Sequence, residues 1–288
     1  MTGWIDTLLQ GLLLGGLYAL FAMGQSLIFG VMRLTNVAHG DFIVLAGFVA
    51  FALVGALGIG PLAAFAFLLP LAMLSGYLLQ RAVLNDTLGK DPLPSLVVTF
   101  GLSIVIQNAL QEIFSADPRS ISAEPLTTAS VQIMEGLSAG VLPLAIFAIA
   151  LAAAASLQWL FARTAIGRAF RATSDDAETA ELMGLDSRAV YALATALAFA
   201  LIAAAGLLQA MRTTISPADG PGLLLFAFEA VVIGGLGSFW GTFAGGLILG
   251  VTQAIGFRFD PGWGIWLGHI VFLAVLLARP QGLVPRTR

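Results

Sequence analysis

Long stretches without a single charged residue constrain this chain more than any other feature. The longest, Phe42–Gln80, runs for 39 residues. A helix rising about 1.5 Å per residue crosses the apolar core of a bilayer in about 20 residues, so this stretch is long enough for two crossings. Gly58-Ile59-Gly60-Pro61 lies near its centre and is typical of a turn between helices. The sequence therefore predicts a membrane-embedded chain.

Composition indicates which kind of membrane protein this is. Hydrophobic residues make up 59% of the 288 residues and charged residues 10%, against roughly 45–50% and 25% in soluble domains. In lipid every backbone N–H and C=O needs a partner within the protein, which a helix supplies within its own segment. The apolar runs are too long and too uniform for the alternating pattern of a membrane β-barrel. The predicted fold class is all-α, a polytopic helical bundle.

The charge-free runs give nine candidate spans in one transmembrane domain over residues 1–288. The Leu223–Gly234 segment is short enough to be re-entrant, so we expect about eight or nine transmembrane segments with interrupted helices. The candidate spans are Thr7–Met32, two within Phe42–Gln80, Pro92–Gln111, Gly136–Ala162, Ala189–Met211, Leu223–Gly234, Gly241–Phe257 and Gly262–Ala278.

Basic residues predict the orientation, because Lys and Arg concentrate in cytoplasmic loops. With the N-terminus outside and nine crossings, the outer segments hold Arg119, Arg212 and Arg258. The ten on the inner side are Arg33, Arg81, Lys90, Arg163, Arg168, Arg171, Arg188, Arg279, Arg286 and Arg288.

The inner segment 163–188 is the only long loop predicted on that side. Thr173 or Ser174 can cap a helix start and Gly184 can end it, which predicts one short helix of about ten residues. Its end carries Leu182 and Met183, apolar side chains that suit the groove of a partner protein. The alternative is an amphipathic connector that rests on the bilayer.

The segment Glu178-Thr179-Ala180-Glu181-Leu182-Met183-Gly184 resembles the E-A-A-x-x-x-G loop of ATP-binding-cassette (ABC) importer permeases. It has Thr at the second position and lacks the fuller downstream extension of that loop. The resemblance implies that the loop docks on an ATP-hydrolysing subunit and transmits its closure. The residues it assigns to coupling are Ser174, Glu178, Ala180, Leu182, Met183 and Gly184.

Two further stretches are similar to one family of these permeases. Residues 27–42, LIFGVMRLTNVAHGDF, resemble the "YGVLRLINFAHG-[DE]-F" segment of the branched-chain amino acid ABC permeases of the LivH type. Residues 231–241, VVIGGLGSFWG, resemble that family's "VVLGGLGSxxG" stretch. Urea and amide permeases share these segments, so the solute stays open between branched-chain or related amino acids and urea or amides.

The resemblance implies partners and a location. The partners are a second homologous permease subunit, two cytoplasmic ATP-binding subunits, a periplasmic solute-binding protein and membrane lipid, with no nucleic acid. The location is the bacterial inner membrane, in which the chain is multi-pass. The sequence contains no G-x-x-x-x-G-K-[ST] phosphate-binding loop, so ATP hydrolysis by that machinery requires another subunit.

Polar residues interrupt the apolar pattern after the first span, where Asn36, His39, Gly40 and Asp41 cluster. Interrupted helices mark the substrate path in many transporters, because half-helix N-termini attract anionic groups such as a carboxylate. The structural alternative makes Asp41 the N-cap of the second span and bonds His39 to a carbonyl group.

A second interruption is predicted at Gly234–Gly241. Here Gly234, Gly235, Gly237 and Ser238 are candidates for the path, with close packing and hinge motion as alternatives. Glu229 precedes them within an apolar segment, where a carboxylate is costly unless it is paired, protonated or facing water. It is a candidate for the path or for contact between helices.

Other functional classes receive less support from the sequence. No His and carboxylate residues show metal-ligand spacing and no catalytic constellation is present, so neither an enzyme active site, a metal nor a cofactor is predicted. His269 has no ligand companion three or four residues away and reads as a lone polar group. The main alternative is a stand-alone secondary transporter with Asp41 and Glu229 as proton or cation sites; a membrane scaffold or an intramembrane enzyme is weaker.

Overall fold

The computed structural model describes residues 2–89, 91–134 and 137–284. Lys90, Gly136, Arg286 and Arg288, which enter the predictions above, lie outside the described residues. Within these ranges the chain forms helices α1 (Thr2–Met32), α2 (His39–Leu57), α3 (Pro61–Ala82), α4 (Leu93–Phe114), α5 (Val141–Arg163), α6 (Ala165–Asp175), α7 (Ala177–Leu182), α8 (Ser187–Arg212), α9 (Gly220–Gly234), α10 (Phe239–Phe259) and α11 (Trp263–Ala278), a 3-10 turn (Leu84–Thr87), and strands β1 (Ser130–Met134) and β2 (Leu137–Gly140).

The helices confirm the predicted class of a polytopic helical membrane protein. Seven of them, α1 to α5, α8 and α10, are long and apolar enough to cross a bilayer, and α9 and α11 are shorter apolar helices. Contacts between them give the direction of each helix: α10 runs antiparallel to α1 and α8 antiparallel to α3, and the chain after α11 returns to the end of α9. We call the side that holds the end of α1 the Met32 side. The chain reaches it again after α3, α5, α9 and α11.

The described basic residues divide between the two sides as the sequence predicts. Arg33, Arg81, Arg163, Arg168, Arg171, Arg188 and Arg279 lie at or beyond helix ends on the Met32 side, and Arg119, Arg212 and Arg258 lie on the opposite side.

The long helices pack as two antiparallel pairs that repeat each other. The first pair is α1 with α10, where glycines bring the backbones together: a Cβ atom on Gly246 would meet the backbone of Ala19, and one on Gly250 would meet Gly15. The second pair is α8 with α3, where Gly76 lies against the ring of Phe199. Small residues allow such close approach in membranes, where packing drives helix association.

Each half of the chain contains a re-entrant segment followed by a helix that starts in the interior of the bundle rather than at its surface. We call these two helices, α2 and α9, the half-helices. After α1 the chain turns back through residues 33–38, and α2 then starts deep in the bundle, where the His39 ring bonds the carbonyl of Phe21. After α8, residues 213–219 return in the same way from the opposite side, and α9 starts at Gly220. In both turns a polar side chain accepts a hydrogen bond from the backbone N–H two residues on, Asn36 from Ala38 and Ser216 from Ala218.

The first turns of α2 and α9 meet in the interior. A Cβ atom on Gly40 would overlap the carbonyl oxygen of Gly220 and the nitrogen of Leu224, and one on Gly220 would overlap the carboxylate of Asp41. Glycine at both positions is therefore required for the crossing. The N-terminus of a helix carries partial positive charge, so an acidic side chain where two of them meet is favourable.

The start of the fifth span differs from the sequence-based prediction. The fifth span was expected from Gly136, but residues 137–140 form β2 and α5 begins at Val141. β2 pairs antiparallel with β1 on the side opposite Met32, and the Gln10 side chain donates to the Ser138 carbonyl. Short hairpin strands with little apolar alternation give a weak sequence signal, which explains the error.

Candidate coupling surface and translocation site

Helix α6 is the first helix of the loop 163–188 and packs against the end of α1. Its N-cap is Thr164, whose hydroxyl oxygen accepts from Gly167 N at 3.0 Å. Phe170 is buried against the ring of Phe161 in α5. At the other end of α6 the Ser174 hydroxyl donates to the Gly30 carbonyl at 2.8 Å. This helix is therefore held against both α5 and α1.

Helix α7 corrects the prediction of one helix that starts at Thr173 or Ser174. These two residues belong to the last turn of α6, and the break falls at Asp176. Asp176 caps α7 by accepting from Thr179 N at 3.1 Å and from the Thr179 hydroxyl at 2.6 Å. These hydrogen bonds hold the pKa of Asp176 below its usual value. Because the backbone of Asp176 is extended, its side chain can cap α7, which it could not do inside a continuous helix.

The end of α7 presents the apolar side chains that the sequence predicts. Leu182 and Met183 are 87% and 81% exposed, whereas Ala180 is buried. Gly184 follows with φ +88°, a left-handed conformation that favours glycine, which confirms the predicted stop. Beside α7 a cavity of about 400 Å³ is lined by Glu178 and Glu181 together with residues of the 3-10 turn and the start of α8. The cavity also includes Arg188, and Leu182 and Met183 lie outside its lining, exposed at the end of α7.

The cluster after α1 is buried. Asn36 and His39 have no exposed surface and Asp41 is 2% exposed. The His39 Nε2 lies 2.7 Å from the Phe21 carbonyl oxygen, and because a carbonyl only accepts, Nε2 carries the proton. The expectation that His39 bonds a carbonyl group is confirmed.

Asp41 does not cap α2, so that prediction is wrong. The helix begins at His39 after Ala38, which places Asp41 within its first turn. The Asp41 side chain instead accepts from Gln107 Nε2 in α4 at 2.9 Å. Thr99, two turns earlier in α4, accepts from the backbone N–H of Val37. These two bonds attach α4 to the start of α2.

Glu229 contacts another helix through a residue that sequence reasoning treated as lone. Its Oε1 lies 2.5 Å from Nδ1 of His269 in α11, 40 residues later. Glu229 is 1% exposed and the His269 side chain 33% exposed. Tyr18 and Gln253 bond each other nearby, at 2.7 Å, and the Tyr18 ring stacks on Phe226 one turn before Glu229. A polar layer therefore connects α1, α9, α10 and α11.

Residues 7–279 match the model of the family described as the branched-chain amino acid transport system permease component. This chain belongs to that family.

Relatives extend the match over nearly the whole chain. The high-affinity branched-chain amino acid transport system permease protein BraD of Pseudomonas aeruginosa is 30% identical, over 98% of this chain and 96% of its own length. The protein LivH of Escherichia coli K12, of the same description, is 28% identical over the same shares. Among solved structures, PsaBC from Streptococcus pneumoniae in complex with a Fab matches with a TM-score of 0.52 at 16% identity, over 97% of this chain and 96% of that chain, which shows a similar fold.

In this permease the Gly234–Ser238 segment lies away from the buried cluster at Asn36–Asp41. It forms the turn between α9 and α10 on the Met32 side, where Ser238 caps α10 through Gly241 N at 3.2 Å. Gly235 and Gly237 adopt φ values of +113° and +80°. The chain after α11 covers this turn, because the N–H groups of Leu283 and Val284 donate to the carbonyls of Ile233 and Gly234. The counterpart of the first interruption is residues 213–219 rather than Gly234–Gly241.

The residues that the permease uses to attach its half-helices were hard to foresee. Gln107 and His269 are single polar residues within apolar spans, and their partners are 66 and 40 residues away. Among the described residues no group of three or more His, Cys, Asp or Glu side chains is placed to hold a metal ion.

Proposed function

We propose that this chain is the non-catalytic permease subunit of an ABC importer that carries branched-chain amino acids across a bacterial inner membrane. The chain acts as one transmembrane domain, and the Met32 side faces the cytoplasm. The observation that carries the proposal is the pair of exposed apolar residues at the end of α7 in a member of this permease family. The printed names of BraD and LivH support branched-chain amino acids over urea or amides.

The proposed partners follow from what the chain lacks and what it presents. Two ATP-binding subunits dock on the loop 163–188, a solute-binding protein delivers the amino acid from the periplasm, and a second permease subunit completes the path. Asp41 and Glu229 are both engaged by side chains of neighbouring helices, which supports structural roles over the proton or cation sites of a stand-alone transporter.

The contacts of α6 provide a route for coupling. Closure of the ATP-binding subunits would displace α7 and with it α6, whose Ser174 holds the Gly30 carbonyl. A Cβ atom on Gly30 would lie 3.3 Å from Gly237, so α1 meets the turn between α9 and α10 here. The displacement would then reach this turn, which joins α9 to α10. The free energy that drives the displacement comes from tighter binding of ATP to one state of the assembly than to the other.

The experiment is co-purification of the ATP-binding subunits with the variant Leu182→Ala/Met183→Ala. Both side chains are exposed, so we expect the bundle to stay folded while the ATP-binding subunits are lost and leucine uptake falls at least about tenfold, as for loss of one buried apolar anchor in a partner. The matched control is Leu277→Ala in α11, which is 85% exposed on the same side.

Full co-purification and uptake in the double variant would contradict the coupling role. Uptake by the purified chain in liposomes with a proton gradient, without ATP-binding subunits, would contradict the proposed dependence on a partner.

A further inference from the structure

Helix α4 carries a row of polar side chains at a spacing of four residues: Ser95, Thr99, Ser103, Gln107 and Gln111. Successive members are neighbours on the helix surface, and because the helix has 3.6 residues per turn, the row rotates by about 40° at each step. The first three are buried, Gln107 is half-buried and Gln111 is exposed. Asn108 and Glu112 flank the row and are also exposed. The polar face therefore passes from the interior near α2 to the outer surface of the subunit.

The exposed part of this face begins deep in the bundle. The Gln107–Asp41 bond places Gln107 beside the first turn of α2, and α2 continues for 16 residues, about 24 Å, from Asp41 to its end at Leu57. Along α4 itself, Gln107 lies seven residues, about 10 Å, before the helix end at Phe114. With a hydrocarbon core about 30 Å thick, Gln107 and Asn108 lie within the core and Gln111 lies near its edge. Asn108 satisfies one group by donating to the Ile104 carbonyl at 2.7 Å, which leaves its carbonyl oxygen as an acceptor at the surface.

The other exposed helix faces of the subunit differ in chemistry. The exposed face of α3 presents Leu71, Leu74 and Leu78, and that of α11 presents Trp266, Ile270 and Leu273. Helices α4 and α11 each bond a buried carboxylate, Asp41 in α2 and Glu229 in α9. The polar residue of α11, His269, is used in that bond, whereas α4 also carries the exposed carboxamides of Asn108 and Gln111.

We propose that the Gln107–Gln111 face of α4 lines the solute path, which the second permease subunit closes. This inference rests on the proposed function and identifies residues that line the proposed solute path. Uncharged carboxamides can donate to a carboxylate and accept from an ammonium group, so they suit a zwitterionic amino acid. Ile104 and Val105, 47% and 63% exposed, provide apolar surface for its aliphatic side chain.

The absence of cysteine from the chain makes a direct test available. Asn108→Cys and Gln111→Cys are introduced singly into the complete transporter in liposomes, and labelling of this chain by the water-soluble reagent 2-sulfonatoethyl methanethiosulfonate is followed by mass. Leu71→Cys in α3 and Leu273→Cys in α11 are the matched controls, each about half exposed on an apolar face.

We expect both test cysteines to react at least about tenfold faster than both controls, because the thiolate forms only where water reaches it. We also expect saturating leucine, with the binding protein and ATP, to slow labelling of Asn108→Cys. Reaction at the control rate in all nucleotide states would overturn the inference, whether lipid or protein covers the face.

Two further outcomes separate this inference from the proposed function. Fast labelling that leucine leaves unchanged, in a transporter that imports leucine, would overturn the assignment of this face to the solute. Fast labelling of the variants, when the unaltered transporter imports no branched-chain amino acid, would overturn the proposed function and support the water-filled path.

Discussion

The meeting of the two half-helices gives a prediction whose sign can be worked out from the structure. In Gly40→Ala the new methyl group overlaps the Gly220 carbonyl oxygen and the Leu224 nitrogen. Both are backbone atoms in the first turn of α9, so no flexible side chain can move aside. Overpacking costs about 1–3 kcal/mol, and contact with rigid backbone places this variant near the upper value.

The control lies in the same helix. Gly55 has no atom within 4 Å of an added Cβ. Replacing glycine with alanine in a helix interior stabilises by about 0.5–1 kcal/mol. We therefore expect the two Gly→Ala variants of α2 to change the free energy of unfolding in opposite directions, with a difference of about 3–4 kcal/mol.

The assay is equilibrium unfolding of the purified chain in mixed micelles, with sodium dodecyl sulfate as denaturant and circular dichroism as the readout. The midpoint should fall for Gly40→Ala and hold or rise for Gly55→Ala. If Gly40→Ala unfolds within about 0.5 kcal/mol of the unaltered chain, the interior cannot contain the tight crossing described above, since even modest overpacking exceeds that value.

Three further predictions use the same unfolding assay or transport. His269→Leu should lower the free energy of unfolding by about 3 kcal/mol, because it leaves the buried Glu229 carboxylate without its partner. The double variant His269→Leu/Glu229→Leu should recover most of this loss. Equal losses in the single and double variants would argue against the pair. Leu283→Pro removes the N–H that donates to the Ile233 carbonyl and should lower the free energy of unfolding by about 1 kcal/mol. Leu283→Ala keeps that hydrogen bond and is the control. Indistinguishable unfolding curves for the two variants would show that the chain after α11 does not stabilise the end of α9. Gly184→Val should reduce co-purification of the ATP-binding subunits, because valine resists the left-handed conformation that ends α7, and wild-type yield of the complex would count against this reason.

The sequence predicted those features that depend on local chemistry. Charge-free runs located the spans, the Gly58–Pro61 break separated α2 from α3, and Gly184 marked the end of α7. It missed features that depend on contacts distant in sequence. Residues 213–219 contain Thr, Ser, Pro and Asp, which are typical of an exposed loop. The return of this segment into the bundle is shown by contacts with α2, where Ile215 lies beside Gly47 and Gly220 lies against Asp41.

The residues of the candidate site also fall into two groups, those that could be predicted from local sequence and those that depend on distant contacts. The exposure of Leu182 and Met183 could be predicted, because they lie at a helix end within a polar loop, where no neighbouring apolar segment can cover them. The pairs Glu229–His269 and Asp41–Gln107 could not, because nothing in a single sequence indicates which distant helix a lone polar residue meets. The roles of Asn36, His39, Gly40 and Asp41 in solute passage stay a prediction.

The two re-entrant segments place different demands on synthesis and insertion. Extended backbone in lipid needs hydrogen-bond partners from elsewhere in the protein. The second segment emerges after its partner, since Ile215 bonds Arg119, which is already made. The first emerges before its partner: Val37 bonds the hydroxyl of Thr99, 62 residues later. The N–H of Val37 therefore lacks this partner until α4 has been made, whereas Arg33 and Ala38 already have partners within the first 36 residues.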